Sequence, residues 1–142
     1  MSKDTLAHVV WECKYHIVFV PKYRYKVFMK EVKEAVRDEM RKLCTWLGIG
    51  ILEGHVCSDH IHLCLSIPPK YSIAEVAATL KGKVAIRMFN RYPKMRKNYW
   101  GNHFWSRGYY VNTVGRNEEQ IRKYIKDQDR LDNFDKQGKL FK

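Results

Sequence analysis

Residues 54–67, with the sequence GHVCSDHIHLCLSI, place two histidines one residue apart in a run that otherwise alternates like a β-strand. Successive side chains of a strand point to opposite faces of the sheet. One predicted face is apolar and consists of Ile61, Leu63 and Leu65. The other carries His60, His62 and Cys64, so we expect the strand to pack on a core with one face and to present two imidazoles on the other.

Hydrophobic spacing predicts the elements that precede this strand. An apolar run at residues 15–20 indicates a strand that Pro21 stops. From about Lys30 to Leu47 the apolar residues recur with the spacing of a helix, and Gly48 is placed to end it. A strand and then a helix therefore lead into the histidine-bearing segment.

The segments around the histidines predict a hairpin followed by a second helix. Residues 49–56 and 60–67 are both strand-like and are separated by the turn sequence CSD. Ser72 then begins a helix with Glu75 three residues later, the pattern of a capping box in which each side chain binds a free backbone N–H.

The remaining residues predict a loop, a strand and a helix. Residues 93–105 are basic and aromatic and indicate a loop, a strand follows at about 104–114, and Asn117 can cap a last helix. The order β-α-β-β-α-β-α predicts an α+β fold, a ferredoxin-like or RRM-like split β-α-β sandwich with an antiparallel sheet, helices on one face and an added C-terminal helix. We expect one domain over residues 1–142, with the histidine pair on the open face of the sheet.

Composition points to a polyanionic partner. The 142 residues include 27 Lys and Arg against 15 Asp and Glu, a formal charge of +12. Such a balance favours nucleic acid before a membrane surface. No apolar run approaches the roughly 18 residues that a membrane span needs, and the N-terminal residues lack an apolar signal core, so a cytoplasmic protein is expected. The four cysteines form no CxxC pair and are expected to be free thiols.

The histidine pair has two interpretations from spacing alone. Two imidazoles on one strand face can bind a divalent metal, but they can also simply decorate an exposed sheet. Cys64 shares their predicted face and Cys57 lies nearby, and a thiolate would favour zinc. The cysteine spacing fits no common zinc pattern, so a structural zinc site is disfavoured.

A second candidate group lies in residues 117–130, NEEQIRKYIKDQDR. Tyr124 and Gln128 are four residues apart and are therefore neighbours on one helix face. An adjoining apolar stripe that would dock the helix consists of Ile121, Ile125 and Leu131. A tyrosine beside such a stripe is more often a packing residue than a nucleophile, and the chain has nine tyrosines.

Nearly the whole chain resembles the single-tyrosine HUH transposases of small bacterial and archaeal insertion sequences, a superfamily that includes the transposases associated with repeated extragenic palindromes. The resemblance is carried by YHIVFVPKYRYKVF, by GHVCSDHIHLCLSIPPKYSIAEVAATLKGKVA and by FWSRGYYVNTVGRNEEQIRKYIKDQ. Within these phrases HIH matches the family's His-hydrophobic-His element. The phrase YIKDQ matches its nucleophile tyrosine, followed one turn later by glutamine.

The resemblance implies a metal-dependent transesterase that cleaves and transfers single-stranded DNA through a covalent 5′-phosphotyrosine intermediate. It implies Tyr124 as the catalytic nucleophile on the C-terminal helix, and His60, His62 and Gln128 as ligands of Mg²⁺ or Mn²⁺. It also implies DNA with hairpin ends as the substrate, and a homodimer whose active sites are completed between subunits. No general base for the tyrosine is apparent.

Charge and aromatic character indicate further contacts to single-stranded DNA. The candidate contacts are Lys22, Tyr23, Arg24, Lys83, Arg87, Arg107 and Arg116. Two alternatives remain: a non-mobile HUH nickase, and a single-stranded DNA- or RNA-binding module, since the predicted fold and charge also suit an RNA-recognition domain.

Overall fold

The centre of the molecule is a four-stranded antiparallel sheet with an N-terminal hairpin beside it in sequence. The structure, a computed structural model, describes residues 4–6, 9–22, 30–98, 103–114 and 122–127. The strands are β1 (Asp4–Leu6), β2 (Val9–Trp11), β3 (Lys14–Phe19), β4 (Gly50–Val56), β5 (Ile61–Ser66) and β6 (Tyr110–Thr113). β1 pairs with β2, and the main sheet has the order β4-β5-β3-β6. This antiparallel order, with a helix after β3 and another after β5, confirms the predicted split β-α-β sandwich.

The two long helices begin and end where local sequence signals predict. α1 covers Lys30–Leu47 and is followed by Gly48, whose φ of 73° is in the left-handed region that glycine adopts without steric cost. α2 covers Ile73–Arg91. Its cap is a complete capping box, because Ser72 Oγ accepts from the Glu75 N–H at 3.0 Å and Glu75 Oε1 accepts from the Ser72 N–H at 2.9 Å.

Two local predictions after α2 were wrong in part. Residues 93–98, predicted as loop, form the short helix α3 (Pro93–Asn98), whose proline occupies the first helical position, where its missing N–H costs no hydrogen bond. The strand predicted at 104–114 is confined to β6. Gly108 has a φ of 75° and interrupts the extended chain, while Trp105 makes only an isolated bridge to Pro21.

The apolar core fills the space between one sheet face and the helices α1 and α2. Strand β5 contributes the alternate residues Ile61, Leu63 and Leu65 to it, as the sequence predicts. No helix in the described parts of the chain is both long and apolar enough to cross a membrane.

The opposite sheet face is not open, contrary to expectation. Residues 122–127 form a helical segment, here called α4, and its Ile125 is fully buried in a second cluster with Cys64 and Val114, against which Leu52 packs. His60 and His62, expected on an accessible face, are both 0% exposed. The prediction failed because one apolar residue of the last helix, Ile125, docks on the face that the four-stranded fold alone leaves bare.

Candidate active site

The turn between β4 and β5 gathers three side chains that can hold a metal ion. The backbone N–H of Cys57 donates to the carbonyl of His60 at 2.8 Å, which closes the turn tightly. The Cys57 sulfur and one ring nitrogen each of His60 and His62 consequently lie within 4.8 Å of one another. Cys57, rather than Cys64, is thus the cysteine that joins the histidines.

A line of ring nitrogens connects three histidines to a carboxylate. His60 Nδ1 lies 2.7 Å from Asp59 Oδ1, His60 Nε2 lies 2.8 Å from His62 Nε2, and His62 Nδ1 lies 3.1 Å from His16 Nε2. If Asp59 accepts the Nδ1 proton of His60, His60 Nε2 must accept from His62, and His62 Nδ1 must accept from His16. All three rings can then be neutral with every contact satisfied.

Burial disfavours the charged forms of His62 and His16. The pKa of His62 is lowered to about 2, chiefly because burial disfavours the imidazolium and further because His60, His16 and His55 lie close to it. Burial also lowers the pKa of His16. Neutral imidazoles offer lone pairs, which is the form in which histidine binds metals.

The donor set fits a divalent cation. His60 and His62 point Nε2 atoms at each other in a buried space, 2.8 Å apart, and the tautomers given above place one proton between them. If His62 moved its proton from Nε2 to Nδ1, the Nε2 lone pairs of His60 and His62 would both be available to one ion. Asp59 and His16 then stand at the outer nitrogens, as the hydrogen-bonding partners of metal-binding histidines commonly do.

The ring of Tyr124 lies directly beside the histidines of the same chain. Its centroid is 6.2 Å from that of His62, with the rings at 81° to each other. Tyr124 remains 40% exposed. Partial burial, and secondarily Cys57, raise the pKa of its phenol above the usual 10, so the hydroxyl is protonated at neutral pH.

Ion pairs to β4 add to the buried Ile125 in holding α4 on the sheet. Arg122 Nε and Lys126 Nζ lie 3.7 and 3.8 Å from the same oxygen, Oε1 of Glu53. Glu53 projects on the histidine face, because it is paired with Cys64 in the sheet register. These contacts set the orientation in which α4 presents Tyr124 to His62.

The chain is similar to known transposases over most of its length. A family described as "Transposase IS200 like" matches residues 9–128. The chain belongs to the IS200-like transposase family. It is 46% identical over 127 residues, 89% of this chain and 84% of the relative, to the transposase for insertion sequence element IS200 of Salmonella typhimurium. The chain is therefore a transposase of this family, and we refer to it below as the transposase.

Solved structures agree with this assignment. A putative transposase from Deinococcus radiodurans R1 superposes with a TM-score of 0.73 at 32% identity, covering 88% of this chain and 97% of that one. A REP-associated tyrosine transposase bound to a REP hairpin gives a TM-score of 0.61 at 10% identity, covering 89% of this chain and 69% of that one. At that identity the second match speaks for the fold alone.

The predicted DNA contacts of the transposase fall on two separate surfaces. Lys22 and Arg107 are exposed at the end of the sheet where His60 lies, since β3 ends opposite Ile61 and β6 begins opposite Val18. Lys83 and Arg87 lie on α2, across the sheet from the histidines. Lys83 Nζ sits 5.7 Å from the Trp46 ring centre, and Arg87 donates to Glu39 at 2.9 Å.

Four predicted site residues lie outside the described residues. They are Tyr23, Arg24, Arg116 and Gln128. The helix cap predicted at Asn117 also falls there.

Sequence reasoning missed two residues that shape the transposase site. His16 shares the histidine face because it pairs with Cys64 in the β3–β5 register. Its signal is a second histidine in an apolar strand, in YHIVFV. Asp59 directly precedes His60, and a carboxylate next to a candidate metal ligand is itself a signal.

Proposed function

We propose that this transposase cleaves and rejoins single-stranded DNA at the ends of an insertion sequence. In the proposal Tyr124 is the nucleophile, and His60, His62 and Gln128 hold Mg²⁺ or Mn²⁺. The observation that carries it is the position of Tyr124, whose ring lies 6.2 Å from that of His62 at the edge of a buried imidazole pair. Family membership supports the same chemistry.

The histidines are suited to their proposed role by charge. A divalent ion in this site would withdraw charge from the scissile phosphate and steady the departing oxygen. Neutral imidazoles and an amide oxygen leave an ion its full charge, because none of these ligands is an anion. His60 and His62 come from one short stretch that a tight turn fixes, so their nitrogens are positioned before any substrate binds.

Tyr124 would attack the phosphorus and displace the 3′ oxygen, leaving a 5′-phosphotyrosine and a free 3′-OH. This ester retains the energy of the broken bond, so a later 3′-OH can attack it and join two strands without ATP. The phenolic proton must leave during attack. Burial raises the pKa of Tyr124, so the phenol is protonated at neutral pH; its proton would pass to water as the new P–O bond forms, and the departing 3′ oxygen would take up a proton from water.

The proposed substrate is single-stranded DNA with a hairpin near each end. The net charge of +12 supports binding to phosphates. Among the described candidates, Lys22 and Arg107 are the best placed to contact DNA because they lie at the histidine end of the sheet. Tyr23 and Arg24 follow Lys22 in the sequence, and Arg116 lies between β6 and α4. Lys83 and Arg87 would need DNA that reaches the outer surface of α2. A hairpin is also the ligand bound in the REP-associated tyrosine transposase structure, which shares the fold with this chain.

We also propose a homodimer in which the sites are completed between subunits. α4 carries the nucleophile, and its described residues contact their own sheet through the buried Ile125, the ring of Tyr124 beside His62 and ion pairs to Glu53. A second copy would offer α4 an identical surface.

An RNA-recognition module is disfavoured by the way the sheet is used. Such domains stack bases on aromatic side chains of the central strands. Here β5 carries His62 and Cys64 on that face, and Ile125 of α4 packs over Cys64. A non-mobile nickase would use the same residues as a transposase and differs only in whether strands are rejoined.

The test is covalent trapping on single-stranded oligonucleotides that span the element's ends, with Mn²⁺ present and a double-stranded arm for comparison. We expect wild-type protein to form an adduct on denaturing gels with the single strand only. Tyr124→Phe should form none while still shifting the DNA in a native gel. Tyr109→Phe is the matched control, since Tyr109 is 39% exposed but packs against Phe19. Adduct formation by Tyr124→Phe would reject the assignment, and a second incubation with acceptor DNA separates strand transfer from nicking.

A further inference from the structure

The proposed cleavage mechanism leaves one potential metal ligand beside His60 and His62 without a role, the thiol of Cys57. Its sulfur lies within 4.8 Å of the ligating nitrogens of His60 and His62, and all three residues are 0% exposed. Within the described ranges no other three potential ligand side chains of His, Cys, Asp or Glu converge in this way. The tight turn that joins Cys57 to His60 holds the sulfur in place.

The chemistry of this set differs from that of the set proposed for catalysis. Two imidazoles and an amide oxygen suit hard cations such as Mg²⁺ and Mn²⁺, whereas a thiolate with two imidazoles selects zinc-like ions. Three protein ligands with one open position are a common arrangement for Zn²⁺. The site can therefore offer two alternative ligand sets that share His60 and His62.

We propose that Cys57, His60 and His62 bind Zn²⁺ and that zinc held in this way inhibits the transposase. On binding, the Cys57 thiol gives its proton to water as the zinc–sulfur bond forms, and no electron is transferred. The inhibitory part rests on the proposed metal-dependent cleavage; the binding part does not.

Inhibition follows from charge and from position. The thiolate cancels one unit of the ion's charge, so less is left to draw electrons from a phosphate. All three ligands belong to the hairpin of β4 and β5, so zinc needs nothing from the helix that carries Tyr124. Zinc would therefore occupy the two histidines without helping to seat the nucleophile.

The binding test uses Co²⁺ as a spectroscopic substitute for Zn²⁺ on the full chain. We expect wild-type protein to show a thiolate-to-cobalt charge-transfer band in the near ultraviolet, and added Zn²⁺ to abolish it. Cys57→Ser should lose this band but keep visible d–d bands from the histidines, which also shows that it is folded. Cys64→Ala is the matched control, because Cys64 is buried on the same sheet face outside the donor set, and it should retain the band.

The affinity for Zn²⁺ should fall by roughly a hundredfold in Cys57→Ser, at or above the loss seen when an outer-shell partner is removed. In Mn²⁺-supported cleavage, wild-type protein should be inhibited by zinc at concentrations that leave Cys57→Ser active. A charge-transfer band that survives in Cys57→Ser, or equal zinc sensitivity of the two proteins, overturns the inference.

If no DNA is cleaved at all, the proposed function fails while the cobalt spectra still decide the zinc site. Should Cys57→Ser bind no cobalt, Cys57→Asp supplies an oxygen ligand and must bind cobalt without the band.

Discussion

The ring of His16 is parallel to that of His62 and meets it edge to edge, with an interplanar angle of 3° and His16 Nε2 3.1 Å from His62 Nδ1. If His62 Nε2 held an ion, its remaining proton would reside on Nδ1, and His16 Nε2 would then be the acceptor that faces it. His16 would therefore support the metal-binding tautomer of His62 and hold the tilt of the imidazole that lies next to Tyr124.

We expect His16→Leu to weaken Mn²⁺ binding by about ten- to hundredfold, the range typical of lost hydrogen-bonding partners of metal ligands. Isothermal titration, or the loss of the free Mn²⁺ signal in electron spin resonance, measures this without any DNA. His16→Gln keeps an acceptor oxygen and should recover part of the affinity. Equal affinities for the Leu and Gln variants would indicate that His16 acts only by filling space.

Glu53→Gln tests whether the ion pairs from β4 position the nucleophile. The pairs to Arg122 and Lys126 are partly exposed, and such pairs contribute about 0–1 kcal/mol each. We expect the rate of adduct formation to fall by up to about tenfold, since α4 would spend less time seated. Mn²⁺ affinity should be unchanged.

The control for Glu53→Gln is Glu34→Gln, which removes an exposed carboxylate on α1, the helix that packs on the other face of the sheet. A parallel loss of rate in both variants would assign the effect to overall charge. A loss of Mn²⁺ affinity in Glu53→Gln would place Glu53 at the histidines instead.

Short-range signals explain why much of the fold was predictable. The bounds of α1, the glycine that ends it and the capping box of α2 depend on residues within one or two helical turns. β6 was predicted too long because aromatic residues with high strand propensity continue through Gly108, where the backbone turns. Burial of the histidine face could not be predicted, because it depends on where Ile125 docks from a distant part of the chain.

The site was predictable to a different degree for each residue. His60 and His62 stand out locally as polar residues in a strand, but only the family resemblance selects Tyr124 from nine tyrosines. The sequence places Cys57 near the histidines and so suggests zinc, but it does not show that the sulfur points toward them. A turn closed by one backbone hydrogen bond brings its sulfur to the histidines, and residue spacing does not report such a turn.

We expect the ion pairs that link Glu39 of α1 to Arg87 and Arg91 of α2 to depend on pH. Its carboxylate accepts from Arg87 at 2.9 Å and Arg91 at 3.3 Å, and the hydrogen bond from Arg87 is the main reason that its pKa lies below the usual 4.5. A carboxyl whose pKa is lower in the folded state stabilises the fold above its unfolded pKa. That contribution is lost as pH falls through the folded value.

Glu39→Gln should therefore lower the free energy of unfolding at pH 7, and the difference from wild type should shrink as the pH falls below 4.5. Urea denaturation at a series of pH values measures it. Glu34→Gln, an exposed position on the same helix, controls for net charge. A difference that stays constant across the series would mean that shape rather than ionisation makes the Glu39 contact matter.

The surface on which α4 packs is present in every copy of the chain, which predicts that a nucleophile can serve its partner's histidines. Among the described contacts, burial of Ile125 contributes about 1.5–3 kcal/mol and the two ion pairs to Glu53 add little. An identical surface on a second subunit can compete for α4 on equal terms.

Co-expression of Tyr124→Phe and His62→Ala chains of different lengths should therefore restore cleavage, although each variant alone is inactive. On a denaturing gel the labelled DNA should be attached to the His62→Ala chain, which supplies the tyrosine. No adduct in the mixture, with mixed dimers present, would mean that Tyr124 acts only within its own chain, at the position beside His62 that it occupies in this structure.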